Sequence, residues 1–279
     1  MTTLPTIELN DATRLPVLGF GTYPMKGEEA VAAIGSALDL GYRLIDTAVN
    51  YRNEREVGEA VRRSDVPREQ ILLQTKIPGR HHAYELALES LRESSRLLGV
   101  EQIDIALIHW PNPSRGRYVE AWRALVTAQR DGLVRTIGVS NFKPEHLDTI
   151  IQATGVVPAV NQVELHPWFS RPDQRRVHEQ LGICTQAWSP FGRYRKPLDE
   201  PALVEAARAH DVSLAQVVLR WHLQLGSVPL PKSATPSRQA ANLDVLGFAL
   251  TDAQLAAIGA LSRPDGGFAD RDSATHEEM

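Results

Sequence analysis

Short apolar runs alternate with longer amphipathic ones along most of the chain. Apolar or β-branched segments predict strands at Pro16–Phe20, Arg43–Asp46, Ile71–Lys76, Ile103–His109, Arg135–Val139, Ala159–Val163, Cys184–Trp188 and Ser227–Pro229. Between them, amphipathic runs predict helices over Gly27–Leu40, Glu54–Arg63, Ala83–Leu98, Tyr118–Asp131, Pro144–Ala153, Arg171–Leu181, Ala202–His210 and Pro236–Leu246. Strands that alternate with helices predict parallel pairing, because each crossover returns the chain to the same edge. The strands are short and mostly apolar, as strands buried on both faces should be. Eight such units in one chain of this length favour a closed (β/α)8 TIM barrel over an open sheet.

Punctuation residues sharpen these boundaries. Gly41, Gly99, Gly132 and Gly182 each follow a helical run, where a left-handed C-cap belongs. Asn53 is expected to cap the helix opening at Glu54, and Pro144 and Pro236 suit a first helical turn. Residues 6–16 predict a β-hairpin around Asn10-Asp11 that plugs the lower end of the barrel. Val212–Gln224, with Ser213 as cap, and Thr251–Ala260, capped by Thr251 or Asp252, are additional C-terminal helices. Residues 263–279 read as a loop or tail with the potential to fold over the barrel mouth, and residues 1–279 read as one domain.

Composition narrows the function classes. The chain has 30 basic against 34 acidic residues, a net charge of −4, which leaves no basic footprint for nucleic acid or an anionic membrane. Cys184 is the only cysteine, so no internal disulfide or cysteine-rich metal site is expected, and its apolar surroundings suggest a small core hydrophobe. His81, His82, His109 and His166 lack metal-ligand spacing, and no metal is expected. The opening residues lack a basic head followed by an apolar stretch, and a cytoplasmic location is expected.

In a barrel, chemistry sits at the carboxyl ends of the strands. Three consecutive predicted strands end in Asp46, Lys76 and His109, with Tyr51 a few residues beyond Asp46. Taken singly, Asp46 reads equally as a cap and Lys76 as solvated, while His109 reads more readily as a core histidine and Tyr51 as packing. Together they fit carbonyl reduction, in which hydride adds to carbon and the oxygen must receive a proton. A phenol of reference pKa ~10 is a poor acid near neutrality. An ammonium beside it stabilises the phenolate, and a carboxylate keeps that ammonium charged and in place. Tyr51 is therefore the expected proton donor, Lys76 and Asp46 its tuning pair, and His109 the group that orients the substrate oxygen.

These motifs resemble the aldo-keto reductase family, closest in pattern to the prokaryotic branch that includes 2,5-diketo-D-gluconate reductases. The resemblance is carried by Gly19-Phe20-Gly21-Thr22-Tyr23, by Gly41 to Ala48 continuing through Tyr51 to Glu54, and by Lys76 and His109-Trp110-Pro111. It extends through Ile137 to Phe142, Asn161 to Pro167 and Pro231-Lys232-Ser233 to Asn242. It implies a barrel that binds NADPH without a Rossmann domain, usually as a monomer, and indeed Gly19, Gly21 and Gly27 do not have dinucleotide-fingerprint spacing. By this resemblance Ser140, Asn141 and Gln162 hold the nicotinamide carboxamide, Trp188 stacks on the ring and Thr22 lies beside its ribose. Ser189, Phe191 and Gly192 begin a loop over the pyrophosphate, and Lys232, Ser233, Arg238 and Asn242 meet the adenosine end, where positive charge favours NADPH over NADH. The sequence departs from the pattern at Arg52, where Gly is common, at Asn50, where an apolar residue is common, and at Ala241, where some members carry Glu.

Substrate contacts are expected from Tyr23, Asn50, His109 and Trp110, with Pro78 on the wall. Arg52, Arg193, Arg195 and Lys196 either draw anionic substrates or are simply solvated. Two alternatives stay open: a Schiff-base aldolase or lyase built on Lys76, and a non-catalytic nicotinamide-nucleotide sensor.

Overall fold

The computed structural model describes residues 4–192, 198–268 and 271–278. Two short antiparallel strands, β1 (Thr6–Glu8) and β2 (Arg14–Pro16), form the expected hairpin. Eight parallel strands follow in sheet order: β3 (Phe20–Gly21), β4 (Leu44–Asp46), β5 (Leu72–Ile77), β6 (Ile103–Ile108), β7 (Val134–Ser140), β8 (Val160–Glu164), β9 (Cys184–Trp188) and β10 (Val228–Pro229). The seam closes through backbone hydrogen bonds from Gly19 N to Pro229 O (3.1 Å) and from Gly21 N to Pro231 O (3.0 Å). A side chain at residue 21 would collide with the carbonyl oxygen of Leu230, so glycine is what lets the first and last strands approach.

Helices α1 (Gly27–Leu40), α2 (Glu54–Arg63), α3 (Tyr84–Leu98), α4 (Tyr118–Arg130), α5 (Pro144–Thr154), α6 (Pro172–Leu181), α7 (Pro201–His210) and α9 (Pro236–Leu243) are the crossover helices expected from the pattern; α8 (Leu214–Gln224) and α10 (Asp252–Gly259) are the two additions. The core holds them by burying their apolar faces on the strands: Ile34, Leu38, Leu91, Leu125 and Leu147 are all within 1% of full burial. A separate cluster of Leu9, Leu15, Leu44, Leu72, Ile105, Leu107, Val160, Val228 and Leu230 fills the lower barrel beneath the hairpin. Cys184 packs against this cluster, and burial pushes its thiol up to about 12, so it behaves as the small hydrophobe expected of it. Among the described residues, no helix is long and apolar enough to cross a membrane.

Several local expectations need correction. The first barrel strand is Phe20–Gly21 rather than Pro16–Phe20, because Pro16 pairs with Thr6 in the hairpin and Val17 N bonds back to Pro5 O. Asn53 precedes α2 but does not cap it: its side chain accepts from Thr47 Oγ1 (2.5 Å) and donates to Met25 O (2.9 Å) and Thr22 O (3.3 Å). Ser213 and Thr251, by contrast, cap α8 and α10 through Gln216 N and Gln254 N.

Candidate active site

Strand register brings the polar groups together. Asp46 on β4 pairs with Gln74 on β5, and Lys76 lies two residues further along β5, so Gln74 and Lys76 share the interior face one layer apart. Lys76 is fully buried, and its Nζ donates to Asp46 Oδ1 (2.6 Å) and Oδ2 (2.8 Å), to Thr47 O (2.8 Å) and to the Tyr51 hydroxyl (3.3 Å). Burial pushes the Lys76 ammonium below the ordinary lysine range, while the charge and hydrogen bonds of Asp46 pull it back up. The grip of both carboxylate oxygens favours the charged form of this buried amine.

Asp46 is saturated. Besides Lys76, its Oδ1 accepts from Gln74 Nε2 (2.7 Å) and Gln162 Nε2 (3.0 Å). Gln74 and Gln186 exchange amide bonds across the barrel (2.8 and 2.9 Å), and Gln162 also donates to Gln186 (3.0 Å). This buried amide web orients the carboxylate and leaves no acceptor of Asp46 wanting. Gln74 and Gln186 escaped the sequence reading; the signal was a glutamine inside each of two apolar strands.

Tyr51 closes a single 3₁₀ turn, Val49–Tyr51, and its ring meets His109 edge to face (centroids 5.7 Å) and Tyr23 (5.1 Å). Arg52 follows at φ 54°, a left-handed conformation that glycine would adopt without strain. His109 sits just past β6, fixed by its backbone N donating to Ile77 O (3.0 Å) and by Asn141 Nδ2 donating to its carbonyl (3.0 Å). Of the expected substrate contacts, Asn50, His109 and Trp110 gather at this mouth, while Tyr23 is 48% exposed.

The residues assigned to a nicotinamide nucleotide fall in two groups. Thr22, Ser140, Asn141, Gln162 and Trp188 line the neighbouring strand ends. Thr22 Oγ1 donates to Asp46 O (2.9 Å), Ser140 Oγ to Gln162 O (2.8 Å), and Trp188 Nε1 to Asn141 Oδ1 (2.8 Å), which fixes the indole plane. Ser189 (φ 50°) and Gly192 (φ 73°) turn the chain away from β9, and Phe191 packs onto the core. The second group runs from just before α9 to its end, with Lys232, Ser233 and Arg238 at the start of the helix and Asn242 in its last turn. Lys232 and Arg238 are exposed, Ser233 and Asn242 are buried, and no side chain caps the helix. Two cations beside an uncapped helix N-terminus suit a phosphate, so the donor set fits the adenosine end of NADPH. Arg193, Arg195 and Lys196 lie outside the described residues.

The tail after α10 does fold over the mouth. Lys143 Nζ meets Asp272 Oδ1 (2.5 Å), Phe268 stacks on Trp188 (5.8 Å, 26°), and His276 meets Trp110 edge to face (4.3 Å). Glu278 reaches two of the expected substrate contacts: its Oε1 accepts from Asn50 Nδ2 (2.8 Å) and lies 2.7 Å from His109 Nδ1. The imidazole contact is short but not aligned as a hydrogen bond, and Glu278 Oε2 is buried without a partner. Burial works to raise the Glu278 carboxyl, but the charge and side chain of His109, the Asn50 amide and the Gly79 backbone outweigh it and hold the group below the ordinary glutamate range. A cavity of about 480 Å³ lies outside the barrel, against α2 and α3, with none of the four expected catalytic residues in its lining.

The aldo/keto reductase family profile matches residues 17–263. The chain is 53% identical over 279 residues to 2,5-diketo-D-gluconic acid reductase B of Corynebacterium sp., covering all of both chains. A mutant of Gox0644 solved in complex with NADPH superposes with a TM-score of 0.94 at 40% identity, covering 99% of this chain and 100% of that one. A Bombyx mori aldo-keto reductase in complex with NADP gives 0.89 at 31% identity, covering 94% of each. Strand order, a buried acid–lysine pair at the strand ends and these likenesses agree: the chain belongs to the aldo/keto reductase family, and is an NADP(H)-dependent oxidoreductase of that class.

Proposed function

We propose that this protein reduces a small aldehyde or ketone to its alcohol, reversibly, with Tyr51 as the proton donor and NADPH as the cofactor. One observation carries this reading: Lys76 Nζ, buried and gripped by Asp46, reaches the Tyr51 hydroxyl at 3.3 Å. NADPH, when bound, supplies the hydride. Trp188, Ser140, Asn141 and Gln162 would hold its nicotinamide, with Thr22 near the ribose. Ser189, Phe191 and Gly192 would border the pyrophosphate, and Lys232, Ser233, Arg238 and Asn242 the adenosine end. The likeness to chains solved with NADPH and NADP supports that assignment.

The protein's own groups then do the following. Asn50, His109, Trp110 and Tyr23 receive the substrate and direct its oxygen toward Tyr51. His109 offers a hydrogen bond to the oxygen as charge develops there. Tyr51 delivers its hydroxyl proton to that oxygen, and the ammonium of Lys76 stabilises the phenolate left behind. Asp46 favours the charged form of Lys76, whereas imine formation needs a free amine. The likeness to the Corynebacterium enzyme favours sugar-derived dicarbonyls among the substrates.

Reduction is read directly as loss of NADPH absorbance against short aliphatic, aromatic and dicarbonyl substrates, with NADH in parallel. The reading expects turnover with NADPH and weaker turnover with NADH. Absence of NADPH consumption across the whole panel would overturn it.

A further inference from the structure

Three of the four groups assigned to the substrate are already engaged by the chain's own tail. Glu278 takes Asn50 and His109, and His276 covers Trp110. The tail is held there by more than these side chains. Glu278 N donates to Asn112 Oδ1 (3.1 Å), Asn112 Nδ2 donates back to the Glu278 carbonyl, and Ser114 N donates to Glu277 Oε1 (2.9 Å). Gly79 provides the room, since a side chain there would collide with both Asn112 and the Glu278 carbonyl. The backbone is thus clamped on both of its polar groups, while the carboxylate fits incompletely. One of its oxygens is buried without a partner, a costly arrangement that a better-fitting ligand can relieve.

We propose that Glu278 is a built-in competitor for the substrate site, seated on Asn50 and His109 where the carbonyl oxygen must bind, so that substrate binds only to the fraction of molecules whose tail has lifted. The inference rests on the reading of Asn50, His109 and Trp110 as substrate contacts. It predicts a particular kinetic pattern. Affinity for any ligand of the open site is reduced by the open fraction, whereas a molecule saturated with substrate no longer feels the tail. Removing the competitor therefore lowers KM and leaves kcat unchanged.

The test compares wild type, Glu278→Gln, Glu278→Ala and a chain ending at Thr275. Two readouts are used: steady-state kinetics with a neutral aldehyde, and binding of benzoate followed by tryptophan fluorescence. Benzoate carries the carboxylate that Glu278 presents, and Trp110, which His276 covers, follows His109 in the chain and reports on this region. We expect KM to fall about tenfold in Glu278→Ala and the shortened chain, with kcat within twofold of wild type, and benzoate to bind about tenfold more tightly. Glu278→Gln should fall between, because its carbonyl oxygen still accepts from Asn50 but its charge is gone. Unchanged KM and benzoate affinity in both point variants would overturn the proposal even if the shortened chain misfolded. So would a loss of kcat at constant KM, which would make Glu278 a positioning residue for His109. Failure of the wild type to reduce any carbonyl would instead strike the functional reading, and the benzoate titration would still report on the tail.

Discussion

Two carboxylates stand at the mouth of this barrel, Asp46 buried and Glu278 partly so, and they are held in opposite ways. Asp46 ends a strand, and its oxygens accept from Lys76 and Gln74 on the adjacent strand β5 and from Gln162 on β8 across the barrel. Glu278 comes from the end of an irregular tail, with one oxygen shared between Asn50 and His109 and the other unpartnered. A saturated charge on rigid elements is a fixture, and its removal leaves its partners stranded in a medium that solvates them poorly. An undersaturated charge on a loop is replaceable. The contrast assigns permanence to the proposed proton-transfer groups and exchange to the proposed substrate seat.

The sharpest way to break that contrast is Lys76→Met. It should abolish turnover to below ~1% of wild type and, by leaving Asp46 uncompensated, cost ~3–5 kcal/mol of stability in urea denaturation. Adding Asp46→Asn should restore most of the stability and none of the activity. Glu278→Gln, measured alongside, should change stability by less than ~1 kcal/mol. Equal stability losses at the two sites would erase the distinction.

Next in size is a pH effect from buried histidines, of which His82 also feels the charge of Glu278. Burial depresses the imidazoles of His82 and His178 to about 4 and that of His222 to about 3. Their unfolded values lie near ~6.5, so between pH ~6.5 and ~4 the unfolded chain binds more protons than the folded one. Stability should be flat with respect to these groups above pH ~6.5 and should fall below it, by up to ~1.4 kcal/mol per pH unit for each histidine. Urea midpoints at pH 7, 6 and 5 read this slope, and His178→Asn should flatten it.

Arg238→Ala should raise the KM for NADPH by ~10–100-fold, the worth of a charge-assisted phosphate contact, while the KM for NADH barely moves. An equal loss for both cofactors would remove Arg238 from the 2′-phosphate. The smallest effect concerns Arg52. Glycine there relieves the left-handed strain at a cost in chain entropy, so Arg52→Gly should stabilise the fold by on the order of 0.5–1 kcal/mol, seen as a modest rise in Tm.

Much of this architecture was legible in the order of residues. The helices Gly27–Leu40 and Glu54–Arg63 match the expected spans to the residue, because apolar spacing and end signals such as Gly41 act locally. The convergence of Asp46, Lys76, Tyr51 and His109 was also legible, since parallel strands of similar depth put their ends side by side. What escaped was non-local. Asn53 has the residue type and position of a helix cap, yet spends its amide on Thr47, Thr22 and Met25, partners that only the folded turn supplies. Gln74 and Gln186 meet across 112 residues of chain, and Glu278 meets Asn112 across 166. The tail carries no periodicity from which such a pairing could be read.

Tyr51→Phe tests the proposed proton donor most directly. The substitution removes one hydroxyl and leaves the ring contacts to Tyr23 and His109. NADPH affinity, titrated by fluorescence, should stay within twofold of wild type while kcat falls by ~10²–10⁴-fold. Turnover at the wild-type rate in a variant that binds NADPH normally would contradict the assignment of the proton to Tyr51.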